Sequence, residues 1–293
     1  MSFRTIVITK ESKLSLRMNH LIVKSESLTQ VPIGEISCLI IENPNITMTG
    51  HLINALSENK IMTIVCGKNH LPQTFLHSVY GHHRQSRLIE QQMKWSSEFK
   101  DRMWQLIVQK KIEHQKQVLK HYFRNIDLTM FDDYIQNTMA GDITNREGHA
   151  AKVYFNIIFS NEITRDTEHV KNAGLDYGYQ ILLAVFARTI ISKGYLTEIG
   201  IMHRNEFNLY NLASDLMEVI RPIVDFTVLN TITDQFETNE KRKIADILNK
   251  KICVNNKMYY LVNAIEIYVE SVFKYLSTGN EKYIRFPSWK FER

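Results

Sequence analysis

IMTIVCGKNHLPQTFLHSVYGHHRQSRLIEQQMKW, residues 61–95, holds the change of texture that decides the fold. Up to Gly67 the apolar residues form short continuous runs or alternate with polar ones, as in strands. Beyond it they recur at helical spacing almost to the C-terminus. Working back from the run at 61–66, ISCLII at 36–41 has the same character of a strand buried on both faces. TIVIT at 5–9, KLSLR at 13–17 and the stretch 20–24 alternate, separated by turns at Glu11-Ser12 and Asn19, which reads as a β-meander. TGHLINAL at 49–56 reads as a short helix with Thr49 as its N-cap. Working forward, helices are predicted at about 83–97, 99–124, 145–160, 176–192, 205–220 and 259–276, with a polar loop at 161–171. The chain is therefore expected to be α+β: a β-rich domain over residues 1–75, then a larger, all-helical domain over 76–293.

Composition supports a packed protein. Of 293 residues 44% are hydrophobic and 23% charged, and Gly (11) and Pro (5) are scarce, which excludes collagen-like, linker-rich and mainly disordered chains. The three cysteines, Cys38, Cys66 and Cys253, form no C-x-x-C pair, so a reducing compartment is the simplest setting. Arg4 and Lys10 interrupt any secretory apolar core, and the longest apolar run, 181–187, is far shorter than the ~20 residues a membrane span needs. A cytoplasmic protein with no membrane association is expected.

The net charge of +5 is unevenly placed. Residues 79–124 hold 10 basic and 4 acidic side chains, whereas 125–293 hold 19 and 22. That basic segment includes Arg84, Arg87, Lys110 and Lys111, and its apolar stripe (Leu88, Met93, Trp95, Phe99, Met103, Leu106, Ile107, Ile112) would leave the charges on solvated helix faces. Such faces attract a phosphate backbone, and they are also what any wet helix looks like.

Three stretches carry candidate chemistry. In TNREGHAAKVYF (144–155), Glu147 stands three residues after Thr144, the spacing of a capping box, so it reads either as a cap or as a ligand. His149 points some 200° away on the same helix and cannot share a site with Glu147. In GIMHRNE (200–206), His203 is a lone imidazole entering a helix. In NLYNLASDLMEVIRP (208–222), Asn208, Asn211, Asp215 and Glu218 share one face beside the apolar Leu212, Leu216 and Val219. Asp215 and Glu218 would repel unless Arg221 or another cation neutralised them. Two carboxylates and an imidazole on separate helices are the donor set of a divalent-metal site for phosphoryl chemistry, if they converge.

At these residues the chain resembles the CRISPR-associated integrase family, the catalytic subunit of the spacer-acquisition complex. The resemblance rests on NREGHAAKVYF (145–155), AGLDYGYQILL (173–183), GIMHRNEF (200–207) and ASDLMEVIRPIVD (213–225), in that order, with SKLSLRMNHLIV (12–23) at the start, and it is most like the type II-A branch. It implies an N-terminal β-sandwich-like domain that dimerises and a helical catalytic domain. It further implies one Mg²⁺ or Mn²⁺ held by Glu147, His203 and Glu218, with Asp215 supporting the site. The last ligand is often Asp in the family, so Glu218 lengthens that arm. The implied reaction is transesterification, a 3′-hydroxyl of captured DNA attacking the edge of a CRISPR repeat, with associated endonuclease activity. Implied partners are double-stranded DNA, a second copy of the chain, a dimer of a small ferredoxin-like CRISPR-associated protein bridging four copies, and other acquisition proteins of the operon. The residues themselves leave two further readings open: a nuclease of branched DNA, and a DNA-bridging scaffold in which Glu147 caps a helix and Arg221 neutralises Asp215 and Glu218.

Overall fold

The computed structural model describes residues 4–76, 82–159 and 169–289. The chain opens with β1 (Arg4–Ile8), β2 (Ser12–Arg17), β3 (His20–Lys24), β4 (Leu28–Pro32), β5 (Ile36–Ile41) and β6 (Ile46–Met48). Helix α1 (Gly50–Glu58) and strands β7 (Met62–Cys66) and β8 (Pro72–Leu76) follow. They form two four-stranded sheets, ordered β4-β3-β2-β6 and β1-β5-β7-β8. The meander is real for β2, β3 and β4, where Met18 and Asn19 at positive φ (47° and 58°) make the tight hairpin turn. β1 lies outside it: it pairs in parallel with β5, a partner that local alternation cannot reveal. Thr49 caps α1 as expected, its hydroxyl accepting from the Leu52 N–H at 3.3 Å.

The second sheet is apolar on both faces because both are covered. Ile8, Leu39 and Ile41 pack with Leu14, Leu21, Val31, Leu52 and Leu56 between the two sheets and α1. Cys38, Ile40, Met62 and Ile64 face the other way and join the main core of the helical region. This explains why 36–41 reads as an unbroken apolar run. Cys38 and Cys66 are free, buried packing groups; burial pushes the Cys66 thiol up to about 12.

The helices are α2 (Gln85–Met93), α3 (Ser97–Tyr122), α4 (Thr129–Gln136), α5 (Arg146–Phe159), α6 (Val170–Ser192), α7 (Asn211–Met217), α8 (Arg221–Thr231), α9 (Thr238–Ala245) and α10 (Leu261–Thr278). One hairpin, β9 (Lys251–Val254) and β10 (Lys257–Tyr260), interrupts the otherwise helical region, turning at Asn255 and Asn256 with positive φ. Helix α6 is buried almost all round and is the central rod. Gly174 and Gly178 let α8 come close: a Cβ at either would lie 2.1 Å from Ile232 Cδ1 or 2.4 Å from Val224 Cγ1.

The continuous helix expected at 205–220 does not form. Residues up to Tyr210 make an irregular loop, α7 is short, and a turn at 218–220 leads into α8, where Pro222 sits in the first turn. Most of the loop expected at 161–171 lies outside the described residues. Among the described residues no helix is long and apolar enough to cross a membrane.

Candidate active site

The N-terminus of α5 shows what Glu147 does. Buried Asp142, in a left-handed conformation, receives the N–H of Arg146 on Oδ1 and the N–H of Glu147 on Oδ2, both at 2.9 Å. Asn145 Oδ1 receives the Gly148 N–H at 3.3 Å. The first donors of the helix are thus satisfied by Asp142 and Asn145, and the capping box of Thr144 and Glu147 is corrected: the Glu147 carboxylate reaches inward to the Lys111 ammonium instead. His149 is exposed on the far side of α5, as its helical angle requires.

Lys111 corrects a second expectation. It lies on the buried stripe of α3, four residues after Ile107, and its Nζ is paired with both Glu147 Oε1 and Glu218 Oε2. It is not on a solvated DNA-facing surface. Burial works against its charge, and Glu218 and then Glu147 outweigh that, keeping its pKa above the ordinary lysine value. Of the other DNA-contact candidates, Lys110 is ion-paired with Glu113 at 2.8 Å, whereas Arg84 and Arg87 are exposed at the start of α2. Residues 79–81 of the basic segment lie outside the described residues.

Glu218 occupies the turn between α7 and α8 and is buried. Its Oε1 accepts from Arg221 Nη1 at 2.7 Å, and that guanidinium lies 4.1 Å above the Tyr179 ring. Burial opposes ionisation of Glu218, but Arg221 and Lys111 together hold it well below the usual carboxylate range. Behind this group, Tyr179 donates to the buried Asp225 of α8, whose carboxyl burial pushes up to about 6.

His203 is carried by the loop after α6, and Asp215 of α7 builds that loop. The N–H groups of Ile201 and Met202 donate to Asp215 Oδ2 at 2.5 and 3.0 Å, and the His203 N–H donates to Oδ1 at 3.1 Å. Gly200 permits this closure, since a Cβ there would lie 2.4 Å from the His203 carbonyl oxygen and 2.7 Å from Asp215 Oδ2. Asn211 adds a second clamp, its Nδ2 donating to the carbonyls of Glu198 (3.1 Å) and Asn205 (2.9 Å). The His203 Nδ1 lies 2.5 Å from Asp215 Oδ1; a carboxylate partner assigns the proton to Nδ1 and leaves Nε2 as the free lone pair. That hydrogen bond raises the His203 pKa, and the charges of Asp215, Glu218 and Glu147 add to it, so the ring lies within the field of both paired carboxylates. Trp104 backs the imidazole edge-on at 5.7 Å.

Glu147 and Glu218, from α5 and the turn before α8, therefore meet at Lys111, and His203, from the α6–α7 loop, feels the charge of both. The polar stripe read from sequence divides its labour: Asn211 and Asp215 build the loop, and Glu218 faces the cations. Sequence reasoning missed Asp142 as cap and Lys111 as counter-ion. For Lys111 the signal was present, because it falls in register with Ile107 and Val118 on the core face of α3. Among the described residues no three or more His, Cys, Asp or Glu side chains are grouped so that they could hold a metal ion, and Lys111 lies between the two glutamates. The chemistry of the donors still suits a hard divalent ion, since two carboxylates converge on one cation.

A β-sandwich-like unit joined to a helical body is also the architecture of solved DNA-integrating and CRISPR-associated proteins. A casposase bound to its integration product superposes with a TM-score of 0.80 at 19% identity, covering 100% of this chain and 95% of that one. A Cas6-RT-Cas1–Cas2 complex matches with a TM-score of 0.73 at 18% identity, over 99% of this chain and 36% of that one. A family model described as CRISPR associated protein Cas1 matches residues 5–252. The CRISPR-associated endonuclease Cas1 of Neisseria meningitidis serogroup C (strain 8013) is 31% identical over 296 residues, 98% of this chain and 96% of that protein. The chain belongs to the Cas1 family.

Proposed function

We propose that this protein is a divalent-metal-dependent DNA integrase of CRISPR adaptation, joining the 3′-hydroxyl ends of captured DNA into the repeat array by transesterification. The observation that carries the reading is the convergence of Glu147 and Glu218 on a single cation, with His203 held by Asp215 within reach of their charge. Glu147, His203 and Glu218 would hold Mg²⁺ or Mn²⁺, which when bound supplies charge neutralisation at the scissile phosphate and polarisation of its oxygens. The chain's own contribution is placement. Asp215 fixes both the backbone and the imidazole tautomer, so that Nε2 of His203 would be the nitrogen available to an ion. Arg221 keeps Glu218 ionised and its carboxylate oriented, and the Tyr179–Asp225 pair holds Arg221 from behind. Exposed Arg84 and Arg87 would lie along the duplex backbone.

The same reading assigns a second copy of the chain and a Cas2-type partner in a four-plus-two assembly, in the cytoplasm, drawing support from the Cas1–Cas2 complex of similar fold. The scaffold alternative keeps the Glu218–Arg221 pair but loses its other half, because Asp142 and Asn145 do the capping it assigned to Glu147. The test is joining of a short duplex with free 3′-hydroxyls into a supercoiled plasmid bearing the cognate repeat, with Mn²⁺ or Mg²⁺ and the partner present. Wild type is expected to join, and His203→Ala and Glu147→Gln to lose joining by roughly a hundredfold or more. Full joining by both variants would remove the metal site, and nicking of branched DNA without partner dependence would favour a nuclease.

A further inference from the structure

The integrase reading assigns Lys111 no task, yet Lys111 is the group the two glutamates actually hold. It is 6% exposed, comes from the middle of α3, and pairs with both Glu147 and Glu218. A buried ammonium is unfavourable unless it is compensated, and here two carboxylates on different elements supply the compensation. Without it, Glu147 and the Lys111-facing oxygen of Glu218 would confront each other with no intervening positive charge, since Arg221 is committed to Oε1. The ammonium therefore stands where a cation shared by these two carboxylates would stand. Both cannot occupy that position, because they compete for the same oxygens and repel at contact distance. Lys differs here from Arg: a compact charge on a flexible four-carbon stem can leave by rotation about side-chain torsions without moving α3.

We propose that Lys111 is the resident cation of this site, holding Glu147 and Glu218 in place while the protein is metal-free and yielding its position when a divalent ion binds. The proposal rests on the metal reading above. Ion entry is coupled to Lys111 exit, so the carboxylates are kept apart from one another and preorganised at the expense of metal affinity. Lys111 is a positioning residue, and the distinguishing readout is affinity for the ion, not activity.

The test is calorimetric titration of Mn²⁺ into the chelator-treated full chain, comparing wild type, Lys111→Met and Glu147→Gln, with melting temperature measured in chelator. Lys111→Met is expected to melt lower without metal and yet to bind Mn²⁺ about tenfold tighter or more, as a competing charge is removed. A lower melting temperature with unchanged or weaker Mn²⁺ affinity would mean an ordinary structural ion pair and would overturn the proposal alone. Absence of Mn²⁺ binding by both wild type and Lys111→Met would overturn the metal reading and this proposal with it. Should Lys111→Met not fold, acylation of wild-type lysines read by mass spectrometry answers the same question. Lys111 is expected to label slowly in chelator and several-fold faster in saturating Mn²⁺, with Lys120 unchanged; equal Lys111 labelling in the two conditions would refute its withdrawal.

Discussion

Glu147, His203 and Glu218 could be named from sequence as candidates because the motifs on which the family resemblance rests are local. Their neighbours could not. Whether Glu147 caps α5 depends on whether a better acceptor lies upstream, and Asp142 is that acceptor because its left-handed backbone turns both oxygens onto the helix entrance. Asp142→Ala is therefore expected to cost about 1–2 kcal/mol in urea unfolding, the usual loss for a removed cap. Glu147→Gln should leave the start of α5 as it is, since no cap is lost. Glu147→Ala, which unlike Gln could not serve in a capping box, should likewise keep hydrogen-exchange protection over 146–149, and loss of that protection would restore the capping box. The burial of Lys111 follows from helical register with Ile107 and Val118, but a lysine there reads as an error of amphipathicity until its two carboxylate partners are known, and these come from far along the chain.

At the scale of elements, strands β2 and β3 and helices α3, α5 and α10 follow from periodicity, since each buries one face, while β5, β7 and α6 show as apolar runs because they are covered on more than one side. Periodicity failed at 205–220, where the side chains are spaced as on a helix while Asp215 and Asn211 spend their polar atoms on folding the preceding loop. The short α4 and α9 offer too little periodic sequence to be seen. Helix α6 sets where α8, and with it Arg221, can sit. Gly178→Ala would place a methyl 2.4 Å from Val224 Cγ1 and 3.2 Å from Ile244 Cγ2. Overpacking of this kind costs about 1–3 kcal/mol, and the displacement of α8 should weaken the Arg221–Glu218 pair and lower DNA joining as well. Gly178→Ala with wild-type stability would show that α8 relaxes freely.

The C-terminal end of the described chain packs on α3 at a buried histidine that adds to the molecule's response to acid. Residue Ser288 bridges to Cys253, and the Trp289 ring lies 3.8 Å from that of His114, whose Nδ1 donates to the Val219 carbonyl at 2.8 Å. Burial, assisted by the charge of Lys110, pushes the His114 imidazole down to about 3. The unfolded chain takes up this proton near pH 6.5 and the folded one refuses it, so the contribution to stability is complete above about pH 6.5 and is lost as pH falls toward 3. Through that window the loss is about 1.4 kcal/mol per pH unit for one proton. His114→Asn, which keeps a donor for Val219, is expected to remove that slope in urea unfolding between about pH 6 and pH 4, whatever its effect on absolute stability. An unchanged slope would mean that the acid limb belongs to other groups.

Among the contacts that join the two halves of the molecule is a buried ion pair, Glu42 at the end of β5 with Lys241 of α9 at 2.9 Å. Neither partner could be paired by sequence, standing 199 positions apart, though the apolar run before Glu42 already required a second covering layer. Glu42 is buried, its Oε2 has no hydrogen-bond partner among the described residues, and His70 Nδ1 lies 3.5 Å from Oε1. Lys241→Met leaves that carboxylate without its ammonium and is expected to cost about 3–5 kcal/mol. The double variant Glu42→Leu, Lys241→Met removes both desolvated charges and is expected to recover most of the loss, because an apolar pair of similar volume has no unmet charge. Chemical unfolding of the wild type, the two single variants and the double variant measures the coupling directly. A double variant as unstable as the sum of the singles would show that the pair acts through packing on Phe236, whose ring lies 5.5 Å from the Lys241 ammonium, and not through charge.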